Sequence, residues 1–431
     1  MENILYKEIL EKINDMEIID THEHIRSQEE VNRESINVFR VFENSYARLD
    51  YISAGMPPKI WSKDDIKEIW KTFKEYQKKV SLTTFVKNII RSLQDLYGLE
   101  GDFITEDNWL DLSEKIKEAY QRNDWYNYVL KKQAKFKISL LDSSWSVEKF
   151  DYDKSLFIPI LRTNPFILGR KYTSPFVKGK YVRTSIEKIS ESWKIKIDDF
   201  ESYMTIVDTA IQKYKKMGCP AIKIATAYQR SLYFEKVSRN TAASIYAKNP
   251  ETITPDEQKK LQDYITHYLI QKATEENMVV QIHTGTFGEN GNIISNGNPE
   301  QLNNLFLEYP NTKFVLFHFS YPYTSQVFSL AKMFTNIALD FCWVPMFSNN
   351  FAKRSLNEFF DLIPYNKLMW GGDSMRVEEA YGSSCLAREI ISSVLAERVK
   401  KKNINMYRAF EIANAILYNN ALKYYNLDKL L

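Results

Sequence analysis

Eight short apolar runs, most of them closing on a polar residue, recur along this sequence with helical stretches between them. They fall at 18–24, 136–141, 157–161, 220–225, 278–283, 313–318, 336–341 and 367–371. Runs this short, rich in β-branched and aromatic residues, read as buried strands. Regular alternation of such strands with helices implies a parallel sheet, and eight units fit a closed (β/α)8 TIM barrel. An open doubly wound sheet is the rival. It is disfavoured because no glycine-rich phosphate loop follows the first run, and polar residues recur at the ends of seven strands instead of gathering at one switch point.

The alternation is interrupted once. Residues 29–135 carry no strand signal, only helical spacing: Ile66, Ile69, Trp70 and Phe73 over 64–80 with Ser62 as N-cap, then Phe85, Ile89, Leu93 and Leu96 over 83–97 with Gly98 as the stop. A third helix is expected from about Asn108. The expected organisation is a first strand within 1–28, a large helical insertion over 29–135 capping the barrel mouth, and the remaining barrel with C-terminal helices over 136–431. Further helices are expected over 198–216, 254–277, 299–308, 322–334 and 355–362, the second of them opened by the capping box Thr254-Pro-Asp-Glu257.

Only five histidines are present, and four end predicted strands: His22, His24, His283 and His318. His22 and His24 alternate along the first strand, so both imidazoles leave the same face, close enough to hold one metal ion. Any one of the four is ordinarily a structural histidine. Four together at the C-terminal ends of barrel strands, where active sites of this fold lie, point to a shared site. His267 falls off the apolar stripe of its helix and is expected to be solvated.

The other strand ends supply Asp142, Arg162, Lys223, Asp340 and Asp373. Lys223 shares its face with Ala221 and Ala225, where an unpaired charge would be costly. Carboxylation by carbon dioxide, giving a carbamate able to bridge two metals, is one solution. A salt bridge to Asp142 or Asp373 is the other. Arg162, Arg230 and Arg376 lie near strand ends and suit a clamp on a substrate carboxylate or phosphate, though surface salt bridges explain each one equally well. Tyr228 is a candidate pocket wall, and the Gly/Asn-rich loop 284–297 is long enough for a lid.

Composition excludes several classes. Lys+Arg 58 against Asp+Glu 55 leaves a net charge of +3 with scattered basic residues, unlike a nucleic-acid footprint. No apolar run reaches the length of a membrane span, and the first residues lack the plan of a signal peptide. Cys219, Cys342 and Cys385 show no paired spacing, which fits a reducing cytosol. A cytoplasmic enzyme acting on a small molecule, without nucleic acid or membrane as partner, is the expectation. A homo-oligomer is compatible with it.

The series His-x-His on strand 1, Lys223 on strand 4, His283 and His318 on strands 5 and 6, and Asp373 on strand 8 resembles the amidohydrolase superfamily. Longer stretches are similar to the amidohydrolase 2 subgroup, particularly the barrel half of FluG-type glutamine-synthetase fusions. They include Tyr51-Ile-Ser-Ala-Gly-Met-Pro57, Lys223-Ile-Ala-Thr-Ala-Tyr-Gln-Arg-Ser-Leu232, His283-Thr-Gly-Thr286, His318-Phe-Ser-Tyr-Pro322 and Asn419-Asn-Ala-Leu-Lys-Tyr-Tyr425. One departure follows Tyr228, where Gln229 precedes the arginine.

The resemblance implies one or two divalent metals, zinc by default, held by His22, His24 and Asp373 with His283 as further ligand. Asp373 would take a proton from water during attack and return it to the leaving group. His318 would bind a second metal, with a carboxylated Lys223 and His283, or contact the substrate directly. Three functions compete: a metal-dependent hydrolase of an amide, ester or related bond; a non-hydrolytic metal enzyme, decarboxylase or uronate-isomerase-like; and a non-catalytic binding protein. The hydrolase is the leading expectation.

Overall fold

In the computed structural model, which describes residues 2–32, 36–143, 147–149, 152–169 and 185–431, eight parallel strands follow one another in sequence order. They are β1 (Ile18–Glu23), β2 (Phe136–Asp142), β3 (Phe157–Arg162), β4 (Ala221–Ile224), β5 (Val279–Ile282), β6 (Phe314–Leu316), β7 (Ile337–Asp340) and β8 (Leu368–Met369). The residues just past β8 close the ring onto β1: the Asp373 amide donates to the His22 carbonyl at 2.7 Å, and the His24 amide to the Ser374 carbonyl at 2.8 Å. The architecture is the (β/α)8 barrel expected from the alternation.

The strands read as nearly continuous apolar runs because both of their faces are covered. Ile19, Leu140, Ile160, Ala221, Val279, Val315, Ala338 and Met369 pack together inside the barrel. Their neighbours Ile18, Leu141, Leu161, Ile222, Val280, Phe314, Leu339 and Leu368 join the outer core that the helices cover. This is the period-2 alternation of a strand applied eight times. Ala421, Tyr425 and Leu427, from the C-terminal segment, complete the inner cluster. The Tyr425 hydroxyl accepts a hydrogen bond from Gln281 Nε2 at 2.8 Å.

Between β1 and β2 lie the helices Ile66–Val80, Thr84–Tyr97 and Trp109–Gln121, with shorter helices at Gln28–Asn32, Val38–Glu43 and Ala47–Ser53. Phe73 organises this part, packing against Phe39 and Phe42 with ring centroids 5.1 Å away and stacking on Tyr51 at 4.8 Å. Asp65, not Ser62, caps Ile66–Val80, its carboxylate accepting from the Lys67 amide at 2.8 Å. Ser62 is committed to the preceding turn, its amide bonded to the Lys59 carbonyl. The 299–308 helix opens as a 3-10 turn, Pro299–Leu302, before Asn303–Glu308. The 355–362 helix extends back to Asn349, because Ser348 accepts from the Phe351 amide as its cap.

His267 is buried, contrary to the solvated position expected. Its Nδ1 meets the Tyr309 hydroxyl at 2.8 Å and its Nε2 the Phe234 carbonyl at 3.2 Å. The segment around Phe234 covers a side of helix Pro255–Glu275 that the apolar stripe alone did not show to be covered. Among the described residues, no helix is long and apolar enough to cross a membrane.

Candidate active site

The C-terminal ends of the strands bring His22, His24, Lys223, His283, His318 and Asp373 together, all of them buried. His22 and His24 stand edge to face with ring centroids 4.8 Å apart. Asp373 lies between two imidazoles, Oδ1 at 3.4 Å from His24 Nε2 and Oδ2 at 3.5 Å from His318 Nε2. His318 Nε2 in turn faces His283 Nδ1 at 3.2 Å. Donor atoms of His22, His24 and Asp373 all fall within 4.8 Å of one another, as do those of His318, Cys342 and Asp373.

Each ring is oriented through its other nitrogen. His22 Nδ1 donates to Gln281 Oε1 at 2.9 Å, and His24 Nδ1 to the Asp142 carbonyl at 2.9 Å. His318 Nδ1 bonds the Cys342 carbonyl at 3.2 Å, and His283 Nε2 the Thr286 carbonyl at 2.8 Å. A carbonyl can only accept, so the bonded nitrogen carries the proton and the opposite one presents its lone pair. Such outer partners are the usual means of holding a metal-binding imidazole in the right tautomer.

The electrostatics agree with this arrangement. Burial pushes all four imidazoles toward the neutral form; His24 falls to about 4. Burial lifts the Asp373 carboxyl to about 7, against the pull of Lys223 and Arg162. His22 Nε2, Asp373 Oδ1 and Lys223 Nζ have no hydrogen-bond partner although all are buried. Lone pairs directed at one another without a donor between them are unfavourable unless a cation occupies the space. The residues therefore fit a divalent metal.

Lys223 forms neither an ion pair nor a hydrogen bond among the described residues. Its Nζ sits 3.1 Å from the Phe317 ring centroid, and burial lowers its pKa to about 8. Asp142 pairs instead with Arg162, Oδ2 to Nε at 3.2 Å, while Arg162 Nη1 stays unpartnered. Tyr228 forms part of the site's wall, its ring 4.8 Å from His283 and its hydroxyl accepting from the Gly288 amide at 3.1 Å. Loop 284–297 is tied at its ends by a bond from the Gly285 amide to the Gly297 carbonyl at 2.8 Å.

Two arginines lie elsewhere. Arg230 pairs with Asp263 at 2.6 Å and covers the Phe234 ring, on the flank by helix Pro255–Glu275. Arg376 is buried beside Tyr120, Tyr126 and Glu378, where the insertion meets helix Val377–Lys400. Asp340 is a structural tie, accepting from the Thr21 hydroxyl and from the Cys342 and Gly371 amides.

Gln281 and Trp343 belong to the site without having been singled out from the sequence. Gln281 had a signal, a lone amide in the buried strand Val279–Ile282. Trp343 had none: it stacks on His318 at 4.2 Å and donates from Nε1 to the Asp373 carbonyl at 2.8 Å. His318, Trp343 and Asp373 all hold left-handed backbone, with φ of 64°, 58° and 50°. Such conformations cost about 1–3 kcal/mol each and cluster at functional sites.

Fold and site together define a (β/α)8 barrel whose mouth gathers side chains able to hold a metal. The amidohydrolase family model Amidohydro_2 matches residues 249–427, from before β5 to the C-terminal segment. Protein fluG of Emericella nidulans is 27% identical over 255 residues, 57% of this chain but only 29% of that protein's length. Among solved structures, a uronate isomerase from Thermotoga maritima superposes with a TM-score of 0.78 at 17% identity, covering 98% of this chain and 97% of its own. A Lactobacillus casei protein described as a metal-dependent hydrolase gives 0.66 at 18% identity, covering 98% of each. Both share the fold across nearly the whole chain.

Proposed function

We propose that this chain is a metal-dependent hydrolase that cleaves an amide, ester or related bond of a small molecule. The observation that carries the proposal is the setting of Asp373: a buried carboxylate between His24 and His318, with a pKa of about 7. His22, His24 and Asp373 would hold the metal, with His283 and His318 on the far side of the carboxylate. When bound, a divalent metal supplies the Lewis acidity that makes water a nucleophile near neutral pH. Asp373 would accept the proton that water loses and return it to the leaving group. Trp343 backs His318 and fixes the Asp373 backbone. Arg162 offers its unpartnered Nη1 to an anionic group on the substrate.

Isomerisation or decarboxylation at the same donors is the competing reading. Lys223 is the observation in its favour, because a buried, unpartnered amine with a pKa of about 8 can move protons between carbons. The same amine, when neutral, can instead take up carbon dioxide and become a second-metal ligand. The fold occurs in proteins named as isomerases and as hydrolases alike, so the barrel's shape does not choose between them. The test is turnover of amide and ester panels by metal-loaded protein in ¹⁸O-labelled water. Hydrolysis places one label in the product and stops when a chelator removes the metal; product formation without the label refutes it.

A further inference from the structure

Beside the metal-site residues lies a second space, a cavity of about 550 Å³ between the insertion, loop 284–297 and the segment after β7. This is the size of a small-molecule pocket. Trp343 joins the two: it stacks on His318 and also lines the cavity. Tyr46 packs edge-on to Trp343 at 4.4 Å, and Phe287 lies over His283 at 5.7 Å. The cavity floor is thus one aromatic layer from the imidazoles. Gly288 lets loop 284–297 approach these rings, since a Cβ there would come within 2.5 Å of Tyr46 Cε1 and 3.0 Å of Trp343 Cη2.

The lining has a consistent sign. Seven of its residues are aromatic, two are acidic (Asp50 and Glu289), and none is Lys, Arg or His. Asp50 Oδ2 is buried without a hydrogen-bond partner. Burial raises the Asp50 carboxyl, partly offset by a hydrogen bond from Thr83, and an adjacent cation would relieve that penalty. Aromatic faces attract cations, tryptophan most strongly. Acidic groups and aromatic faces therefore favour a positive charge on an apolar body, and both disfavour an anion.

We infer that this cavity binds the end of the substrate remote from the reacting bond, and that this end is an aromatic or apolar group bearing an ammonium. The inference deepens the proposed function and rests on it for the reaction, but not for binding. Isothermal calorimetry with phenethylamine, hydrocinnamate and phenethyl alcohol tests it on metal-loaded and chelator-treated protein. Phenethylamine is expected to bind at least tenfold more tightly than hydrocinnamate in both preparations. Asp50→Asn combined with Glu289→Gln should erase that preference and leave phenethyl alcohol binding unchanged. Equal binding of amine and carboxylate by the unaltered chain, or a preference that survives the double substitution, would overturn the inference. A preference kept alongside a failed ¹⁸O test would remove the hydrolase reading while leaving the cavity assignment standing.

Discussion

Gly371→Ala probes the contact that sets the site's geometry. Gly371 follows β8 two residues before Asp373, and its Cα faces β1. An added Cβ would lie 2.6 Å from Thr21 Oγ1 and 2.8 Å from the His22 backbone nitrogen. The threonine hydroxyl is held by Asp340 and the nitrogen belongs to a proposed ligand, so neither can yield freely. Restoring ordinary contact at 3.4 Å with both atoms requires the end of β8 to retreat from β1 by roughly 0.8 Å. Overpacking of this kind costs about 1–3 kcal/mol. The larger consequence is local, because the retreat carries Asp373 away from His22 and His24. A misplacement near 1 Å costs on the order of a hundredfold in rate, so a retreat approaching that should cost at least about tenfold. The assay is metal retention against a graded chelator, read by elemental mass spectrometry, with thermal unfolding recorded in parallel. A Gly371→Ala protein that keeps unaltered metal retention and unfolding temperature would show that β8 is not pinned against β1 as described.

Gln281→Leu removes the acceptor for His22 Nδ1 and should weaken metal binding by about 10- to 100-fold in a competition titration, with little change in the far-UV spectrum. Metal affinity should also depend on pH with a definite sign. Burial raises Asp373 to about 7 while the imidazoles stay neutral, so metal displaces one proton below that value. Affinity should fall about tenfold per pH unit below about 7 and level off above it, as isotherms from pH 5 to 8 would reveal. Arg230→Ala should leave turnover intact and lower unfolding stability by about 1–3 kcal/mol, because Asp263 loses one of its two cationic partners, Arg230 and Lys259. Denaturant titration beside a KM measurement separates these two effects.

The barrel was legible because both faces of its strands are buried, which leaves short apolar runs that end where the chain turns to the mouth. The His-x-His pair and the histidines after β5 and β6 were legible for the same reason, since polar residues stand out at the ends of apolar runs. Arg230 and Arg376 misled because proximity to a strand end in sequence does not fix the direction of a long side chain. Arg230 turns to Asp263 on the flank, and Arg376 turns into the interface with the insertion. Trp343 was invisible in the sequence: its role comes from a left-handed backbone that lays the indole on His318. His267 was misjudged because helical periodicity records only the principal buried stripe. A second covering contact, here the Phe234 segment, depends on tertiary placement.

The proposed metal site is the trio His22, His24 and Asp373 at the mouth of this barrel. Its most direct test is metal content per chain by elemental mass spectrometry, comparing the unaltered protein with the His22→Ala, His24→Ala double variant after identical metal loading and dialysis. At least one equivalent per chain in the former and near none in the latter, with the barrel's circular dichroism preserved, is the expected result. Equal metal content in the two proteins, or none in either after reconstitution, would contradict the claim.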